Sequence, residues 1–373
     1  MRSSGMPGGT REKQKILFVT STLYFGGAQK VTYLLADALS ERYDVTVAYC
    51  FDSGQRHGYS ERCRLRKLPE YARDAKSLEK IGSIREQIKA LKALKQELGI
   101  DVSLSLGNLS NCINALSKGN EIVICSERSN PKQSLGNLFP FTRYLFHKAD
   151  HVVFQSEAIR NLYGDEIRKK SSILKNPLLI PEPAYDSREK KIVAMGRLVP
   201  QKNYPLLIRS FAAFRERFPE YVLHIYGEGN MENELRKLAR DLGVTEEVIF
   251  EGNRRDVLER IRDAEMFVLS SDFEGLSNAL LESMSMGIAC ISTKCEGSVD
   301  VIRDRENGLL TEKGDEKGLT EAMCELAGDP VLRKKLESRA MRDMKAFERD
   351  LVVRDWEEVI LRCAASAAGG EER

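Results

Sequence analysis

The segment KILFVTSTLYFGGAQKVTYLLADALSERYDVTVAYC, residues 15–50, decides the fold class. It opens on a short run rich in β-branched and aromatic residues, 15–20, and closes on a second such run, 44–50. Between them, apolar residues recur at helical spacing over 28–43: Val31, Leu34, Leu35, Ala38 and Leu39. The pattern predicts a strand, a turn, a helix and a second strand, which is typical of a parallel sheet covered by helices.

The same alternation continues along the chain in two cycles. In the first cycle a helix is predicted over 76–99, and further strands over 101–107, 122–127 and 151–156. A proline-marked linker, 176–191, precedes the second cycle. Its predicted strands are 191–198, 221–229, 248–253, 266–271 and 288–293, and its predicted helices are 205–219, 233–243, 255–264 and 279–287. We therefore expect two doubly wound α/β domains that face each other across a ligand-binding cleft.

Length and composition agree with this organisation. The chain has 373 residues, of which 42% are hydrophobic and 31% charged, so it suits two domains and excludes a disordered chain or a disulfide mini-protein. The polar, glycine-rich start predicts a disordered leader over 1–14 and not a secretory signal. The eight cysteines show no C-x-x-C spacing and the four histidines no metal-binding cluster, so we expect reduced cysteines and no zinc site.

Charge is distributed unevenly between the two halves. Residues 1–178 hold 28 Lys and Arg against 18 Asp and Glu, whereas the remainder holds 30 against 38. A basic first half joined to an acidic second half suggests that only the first half meets an anionic partner, although solvated surface charge without a partner fits equally.

Two short segments past predicted strand ends are candidates for binding phosphate. Gly26 and Gly27 lie between the first strand and the first helix, where the backbone can approach an anion at a helix N-terminus. In GRLVPQKN, residues 196–203, Arg197 and Lys202 are two cations on one loop, suited to a diphosphate. Taken alone, the first segment also fits an ordinary tight turn and the second ordinary surface charge.

A third segment, SSDFEGLSNALLESMSMG (270–287), carries more specific chemistry. Glu274 follows a strand, a flexible turn leads into a helix, and that helix carries Glu282. The loop brings carboxylates, which accept hydrogen bonds from sugar hydroxyls, next to helix N-terminal amides, which suit phosphates. The alternative is a solvated pair of glutamates on an amphipathic helix.

Glu274 and Glu282 at this spacing, with GRLVPQKN upstream and Gly26–Gly27 near the start, resemble glycosyltransferase family 4, retaining enzymes of the GT-B fold. The resemblance covers roughly residues 15–360 and is most specific in the second half. It implies that Glu274 contacts the donor sugar near the reaction centre and that Glu282 holds the ribose of the nucleotide. Arg197 and Lys202 match the pair that stabilises the departing diphosphate. The other implied donor-binding residues are Gly26, Gly27, Gly275 and the amides of Leu276, Ser277 and Asn278.

One position departs from the common family pattern. Many members place a histidine after a central strand of the first domain, whereas this chain has CSERSNP, residues 125–131. Glu127 and Arg128 stand near that position, as in members that build bacterial polysaccharides and oligosaccharide-lipids, and are candidate sugar or acceptor contacts. His147 and His151 come later and are expected to be structural.

The resemblance also implies that the two domains bind different substrates. We expect an acceptor-binding domain over 15–178 and a donor-binding domain over 179–346, with the last helix, 347–365, packed back on the first domain. Apolar residues give that helix a face to bury: Leu351, Val352, Trp356, Val359 and Ile360. The expected reaction moves a hexose or N-acetylhexosamine from a nucleotide-diphosphate sugar, with UDP favoured, and needs no metal or other cofactor because Arg197 and Lys202 supply positive charge.

The acceptor expectation rests on the basic first half. Its cations are concentrated in residues 61–67 and 76–98: Arg62, Arg64, Arg66, Lys67, Lys76, Lys80, Arg85, Lys89, Lys92 and Lys95. They flank an apolar stripe, Ile81, Ile84, Ile88, Leu91 and Leu94, which fits a core-facing surface better than a membrane-facing one. The cations suit an anionic membrane surface. We therefore expect a cytoplasmic enzyme that binds the inner face of the plasma membrane reversibly and acts on a lipid-linked saccharide, a polyprenyl diphosphate.

Four other functions stay open at this point. They are a glycosyltransferase with a soluble acceptor, a GT-B sugar-nucleotide epimerase, a non-catalytic nucleotide-sugar sensor and a nicotinamide dehydrogenase. The last is disfavoured because no G-x-G-x-x-G follows a predicted strand. Nucleic acid is not an expected partner.

Overall fold

The structure is a computed structural model that describes residues 13–24, 26–52, 54, 58–70, 77–128, 130–132 and 139–370. Of the predicted leader, only Lys13 and Gln14 fall within these ranges. Lys76, the first residue of a predicted helix, lies outside the described residues, and the side chain of Lys80 is likewise not described.

The strands form two sheets, and every described register between neighbouring strands is parallel. The seven-stranded sheet has the order β3-β2-β1-β4-β5-β6-β7, with β1 Lys15–Thr22, β2 Asp44–Phe51, β3 Arg64–Lys67, β4 Val102–Leu106, β5 Ile122–Ser126, β6 His151–Phe154 and β7 Ser171–Ile173. The six-stranded sheet has the order β10-β9-β8-β11-β12-β13, with β8 Glu189–Met195, β9 Val222–Tyr226, β10 Val248–Gly252, β11 Ala264–Leu269, β12 Ala289–Thr293 and β13 Leu309–Thr311. In both orders the strand numbering reverses direction once, which is the doubly wound topology.

Helices connect the strands. Those before the second sheet are α1 Gly27–Leu39, α2 Ser77–Leu98, α3 Asn108–Leu116, α4 Phe139–Leu145, α5 Glu157–Arg160 and α6 Asp165–Lys169. The others are α7 Tyr204–Arg215, α8 Glu232–Asp241, α9 Val257–Arg260, α10 Asn278–Ser285, α11 Glu296–Val299, α12 Glu316–Gly328, α13 Pro330–Met344 and α14 Arg349–Gly370. The predicted class, two parallel α/β sheets covered by helices, is confirmed.

Contacts between Cα atoms divide the chain into two compact units. Unit 1 comprises residues 1–126, 141–152 and 357–373, and unit 2 comprises 127–140 and 153–356. The predicted boundary at residue 178 lies between the two sheets, but residues 127–140 and 153–178 belong to unit 2. They do so because the segments that leave β5 and β6 pack against the loop that follows β11, as described below.

The core of unit 2 lies on both faces of its sheet. On one face, α7 packs Leu207, Phe211 and Phe214 into a cluster with Ile192 and Ile225 of the strands. On the other face, α10 packs Leu280, Leu281 and Met284 against Val193 and Phe267. Residues on both faces of the central strands β8, β11 and β12 are therefore buried, which holds the ends of these strands in fixed positions.

In unit 1, helix α2 packs the second half of its apolar stripe against the sheet. Leu91 is fully buried, and Ile88 and Leu94 pack around it on a cluster that includes Leu17. Lys95 is buried as well, and its Nζ lies 2.7 Å from Glu121 Oε1. Burial lowers the pKa of Lys95, and the Glu121 carboxylate opposes that shift. The core-facing interpretation holds for Ile88, Leu91 and Leu94, whereas Ile81 at the start of the stripe is 48% exposed. Because Lys95 is buried, it does not belong to the surface cations.

The last helix, α14, runs from Arg349 to Gly370. Of its predicted apolar face, Val352, Trp356, Val359 and Ile360 are buried, whereas Leu351 is 38% exposed. From Glu357 onward the helix belongs to unit 1, where the Glu357 carboxylate accepts a hydrogen bond from the Tyr43 hydroxyl at 2.7 Å. The same carboxylate pairs with Arg42 at 2.7 Å.

All eight cysteines are free thiols in the structure. No helix of the described ranges combines the length and the apolar character needed to cross a membrane. Within the same ranges, no group of three or more His, Cys, Asp or Glu side chains is arranged as a metal site.

Candidate active site

Two loops of unit 2 follow neighbouring strands of the six-stranded sheet. Residues 196–203 follow β8 and residues 270–277 follow β11, and these strands pair directly. Because the strands are parallel, both loops leave the carboxyl edge of the sheet, where α/β folds bind ligands. The structure thereby brings the loops of Arg197, Lys202 and Glu274 to one edge.

The position of Lys202 is fixed by the turn that carries it. A short 3-10 turn over Pro200–Lys202 is followed by Asn203, whose φ of 45° is left-handed. Asparagine tolerates this conformation, and its side-chain oxygen caps α7 by accepting a hydrogen bond from the Leu206 N–H at 3.3 Å. Asn203 Nδ2 also donates to Asp272 Oδ1 at 2.8 Å, which ties this turn to the second loop.

Lys202 and Glu274 form a shielded ion pair at the centre of the site. Lys202 Nζ lies 2.5 Å from Glu274 Oε1, and the two side chains are only 14% and 12% exposed. The Ser271 hydroxyl donates to the same carboxylate oxygen at 3.1 Å, and the Ser270 hydroxyl donates to the Lys202 carbonyl at 2.9 Å. A cation and a carboxylate are thus held side by side, each fixed by hydrogen bonds from the β11 loop.

Gly196 makes room for the Lys202 side chain. Its φ is 152°, and a Cβ on it would lie 2.9 Å from Lys202 Cε. Its carbonyl accepts a hydrogen bond from the Tyr204 hydroxyl at 3.1 Å. Burial raises the pKa of Tyr204, and the Glu274 charge acts in the same direction, so this phenol stays a neutral donor.

Arg197 differs from Lys202 in its surroundings. It is exposed, and its guanidinium has no hydrogen-bond or ion-pair partner in the described part of the chain. It lies directly after Gly196 at the end of β8. Its donors are therefore available to an anion at this edge of the sheet.

The turn after Glu274 leads into helix α10. Ser277 caps the helix by accepting a hydrogen bond from the Leu280 N–H at 3.4 Å. The Leu276 N–H, predicted to face the diphosphate, donates to Gln155 Oε1 at 3.2 Å. In this structure the Leu276 amide therefore supports the loop itself.

Glu282 lies one residue beyond the first turn of α10 and is 6% exposed. Its helix neighbours Leu281 and Ser283 are fully buried. The side chain is thus held at the base of the loop, not on a solvated face as the alternative interpretation required. Its contact with a ribose stays a prediction.

Glu127 and Arg128 follow β5 and lie in unit 2. Glu127 is fully buried; its carboxylate accepts hydrogen bonds from the Tyr163 hydroxyl at 3.1 Å and from the Arg128 N–H at 3.0 Å. The Arg128 guanidinium donates to Asn176 Oδ1. Burial lowers the pKa of Arg128 to about 9, which the Glu127 charge partly offsets, so the guanidinium stays charged at neutral pH. Contact of either residue with sugar or acceptor stays a prediction.

Gly26 and Gly27 lie in unit 1 at the start of α1. Gly26 is extended and has no side chain to cap the helix, and its carbonyl accepts from the Lys30 N–H at 2.8 Å. A Cβ on Gly26 would lie 2.4 Å from Gln29 Oε1. The Gln29 side chain therefore lies close to the Gly26 backbone.

Sequence reasoning missed two site residues, Gln155 and Asn176. Both are buried polar side chains, 8% and 2% exposed, and both contact the Gly275–Asn278 turn. A signal existed for each: Gln155 directly follows β6, and Asn176 comes shortly after β7 and before a proline. Polar residues just past parallel strands are where α/β folds build sites.

Comparison with known proteins agrees with this geometry. Residues 177–343 match the family described as "Glycosyl transferases group 1". Along most of its length the chain is similar in structure to HepE from Anabaena, which was solved in complex with UDP and glucose. The TM-score is 0.79 at 16% identity, covering 93% of this chain and 99% of that one. This likeness and the two parallel sheets establish the GT-B fold.

Two curated relatives from Campylobacter jejuni align along almost the whole chain. One is named GalNAc-α-(1→4)-GalNAc-α-(1→3)-diNAcBac-PP-undecaprenol α-1,4-N-acetyl-D-galactosaminyltransferase; it is 28% identical over 357 residues, 93% of this chain and 98% of the relative. The other is named N-acetylgalactosamine-N,N'-diacetylbacillosaminyl-diphospho-undecaprenol 4-α-N-acetylgalactosaminyltransferase; it is 28% identical over 366 residues, 92% of this chain and 98% of the relative. The chain is a glycosyltransferase that carries a group 1 domain, and its closer resemblance to family 4 stays a prediction.

Proposed function

We propose that the protein transfers a hexose or N-acetylhexosamine from a UDP-sugar to a lipid-linked saccharide, with retention of anomeric configuration. The observation that carries the proposal is the shielded Lys202–Glu274 pair at the carboxyl edge of the sheet, with the exposed Arg197 on the same loop as Lys202. This edge offers a cation for a diphosphate and a carboxylate for a sugar 2.5 Å apart, and a second cation on the same loop.

In the proposed mechanism, the bond between the anomeric carbon and the diphosphate oxygen breaks, and its electron pair leaves with the diphosphate. Arg197 and Lys202 stabilise the negative charge on this leaving group. The sugar becomes oxocarbenium-like, and the Glu274 carboxylate stabilises its positive charge. An acceptor hydroxyl then adds to the anomeric carbon, and its proton passes to the departing diphosphate.

The relatives support the acceptor and the donor class. Both Campylobacter enzymes are named for N-acetylgalactosamine transfer to saccharides on undecaprenyl diphosphate. The HepE structure holds UDP and glucose, which supports a UDP-linked donor. We place the products in the assembly of a surface polysaccharide or glycan.

The test is a transfer assay with a panel of UDP-sugars and a polyprenyl-diphosphate saccharide. We expect a product with the donor's anomeric configuration and no loss of activity in EDTA, because the two cations replace a metal. An inverted product would contradict the retaining mechanism. Epimerised donor without transfer would indicate an epimerase, and donor binding without turnover a sensor. Activity on free sugars alone would contradict the lipid-linked acceptor.

We also expect reversible binding to an anionic membrane through residues 62–67 of unit 1. Arg62, Arg64, Arg66 and Lys67 are exposed, and three of them pair with the acidic residues Glu41, Asp44 and Glu70. Exposed pairs of this kind are weak, so these cations can exchange partners for lipid phosphates. Each cation near such a surface contributes about 1 kcal/mol. Changing the four residues to glutamate should lower co-sedimentation with anionic liposomes at least about tenfold.

The matched control reverses exposed cations of unit 2: Arg236, Lys237 and Arg240 on α8. This variant should bind anionic liposomes as the unmodified protein does, and binding of both should weaken as salt rises. Equal binding to neutral and anionic liposomes would contradict the membrane proposal and leave glycosyl transfer intact.

A further inference from the structure

Asn176 is a buried residue beside the Gly275–Asn278 turn, and its side chain connects four hydrogen-bond partners. It is 2% exposed, and all four of its side-chain hydrogen-bonding positions are used. Nδ2 donates to the Leu276 carbonyl at 3.2 Å and to Asn278 Oδ1 at 2.6 Å. Oδ1 accepts from Gln155 Nε2 at 2.7 Å and from the Arg128 guanidinium. One half of the amide thus holds the turn, and the other half is held by Gln155 and Arg128.

Gln155 binds the same turn at the backbone N–H of Leu276. Its Nε2 donates to Asn176, and its Oε1 accepts from the Leu276 N–H at 3.2 Å. Both backbone polar groups of Leu276 are therefore bound by these two buried amides. A buried polar network in which every member is satisfied is rigid, and loss of one member leaves others unpaired.

The backbone of Arg128 packs directly on this turn. A Cβ on Gly275 would lie 2.3 Å from the Arg128 carbonyl oxygen and 2.5 Å from Gln155 Oε1. On the next layer, a Cβ on Gly297 would lie 1.8 Å from the Gly275 carbonyl oxygen. Only glycine fits at these two positions, so the turn is clamped between the segment after β5 and the start of α11.

We propose that Arg128 is a positioning residue for glycosyl transfer. Arg128 acts through Asn176, which Gln155 also holds, to fix the turn that directly follows Glu274. Because Glu274 precedes Gly275, a shift of the turn displaces the carboxylate from the sugar and the Ser277 end of α10 from the diphosphate. The inference rests on the proposed function, and it assigns Arg128 to the donor loop and not to the acceptor.

The discriminating experiment compares Arg128→Met with Arg128→Lys in two assays, transfer to the acceptor and hydrolysis of the donor by water. Methionine keeps the aliphatic stem and removes the donors, and lysine restores one donor. Arg128→Met should lower kcat of both reactions by the same factor, roughly 10²-fold, the size expected for a misplacement of about 1 Å. Arg128→Lys should recover part of that loss, and KM for the acceptor should stay unchanged in both variants.

Asn176→Asp tests the other half of the network. Aspartate keeps the acceptor for Arg128 and Gln155 but loses both donors to the turn, so transfer and hydrolysis should again fall together. The matched control is Asn161→Ala, which removes an exposed hydrogen bond from Arg168 Nη1 in the same unit, 3.4 Å in length. It should leave both reactions within about twofold of the unmodified protein, the scale of a surface change.

Three outcomes would overturn the inference. Loss of transfer with normal hydrolysis would make Arg128 an acceptor contact. Unchanged kcat in a folded Asn176→Asp variant would show that the turn needs no such support, and equal loss in Arg128→Lys and Arg128→Met would show that the hydrogen bond to Asn176 is not what matters. Failure of the proposed function itself is distinct, because the unmodified protein would then transfer no sugar.

Discussion

Changing Glu274 to glutamine should lower kcat for glycosyl transfer by about 10²–10³-fold, the scale of losing one group aimed at a developing charge. Glutamine keeps an oxygen for the Ser271 hydroxyl, which lies 3.1 Å from Glu274 Oε1, so the change removes charge more than shape. The carboxylate is only 12% exposed, so water screens its charge little. Steady-state kinetics with a UDP-sugar and the lipid-linked acceptor measures the effect.

Two further variants separate this effect from general damage. Glu247 pairs with Arg215 at 2.9 Å just before β10, at the amino edge of the sheet and away from the carboxyl edge that carries the site. Glu247→Gln breaks this pair and should leave kcat unchanged. Glu282→Ala should chiefly raise KM for the donor, since ribose contacts are made in both the ground state and the transition state. Near-native turnover in a folded Glu274→Gln variant would remove Glu274 from the site.

Changing Lys202 to methionine should raise the activation barrier by about 3–4 kcal/mol, comparable with the loss of an oxyanion-type donor. The aliphatic stem beside Gly196 is retained, and only the ammonium that would meet the diphosphate is lost. The loss should appear in kcat, because negative charge on the leaving group grows toward the transition state. Single-turnover kinetics at saturating donor reports this step directly.

Lys191→Met is the matched control for this change. Lys191 is a buried lysine of the same strand, β8, and pairs with Asp263 at 2.8 Å away from the carboxyl edge. If folded, that variant should keep its turnover. The double change of Lys202 and Glu274 should cost less than the sum of the single changes, because the two groups are partners at 2.5 Å. A raised KM with normal kcat in Lys202→Met would limit Lys202 to ground-state binding.

The fold was largely predictable because its strands and helices carry periodic apolar patterns. Strands β1 and β2 and helix α7 were each predicted to within a few residues of their observed limits. Strand β3 was missed since Arg64, Arg66 and Lys67 are exposed and only pairing with β2 makes the segment a strand. The helix predicted over 255–264 is reduced to Val257–Arg260, because β11 already begins at Ala264.

The site was predictable only where its chemistry is local. Arg197, Lys202 and Glu274 stand on loops whose polar character is visible beside the strands they follow. The network behind them is not local: Gln155 contacts Leu276 across 121 positions and Asn176 contacts it across 100. No periodicity links residues so far apart, so their partnership depends on the way the sheet edges pack. The Lys202–Glu274 pair likewise required the pairing of β8 with β11.

The position of strand β3 has a consequence for contacts between copies of the chain. It is the outermost strand of the described seven-stranded sheet, so one side of its backbone offers unpaired N–H and C=O groups to any other chain. Its exposed Arg64, Arg66 and Lys67 make pairing with a second copy unfavourable, because like charges would be brought opposite each other. These cations therefore disfavour aggregation through the sheet edge, independently of any membrane binding. Glutamate at the same positions keeps that protection, whereas valine or isoleucine would turn the edge into a template for fibres.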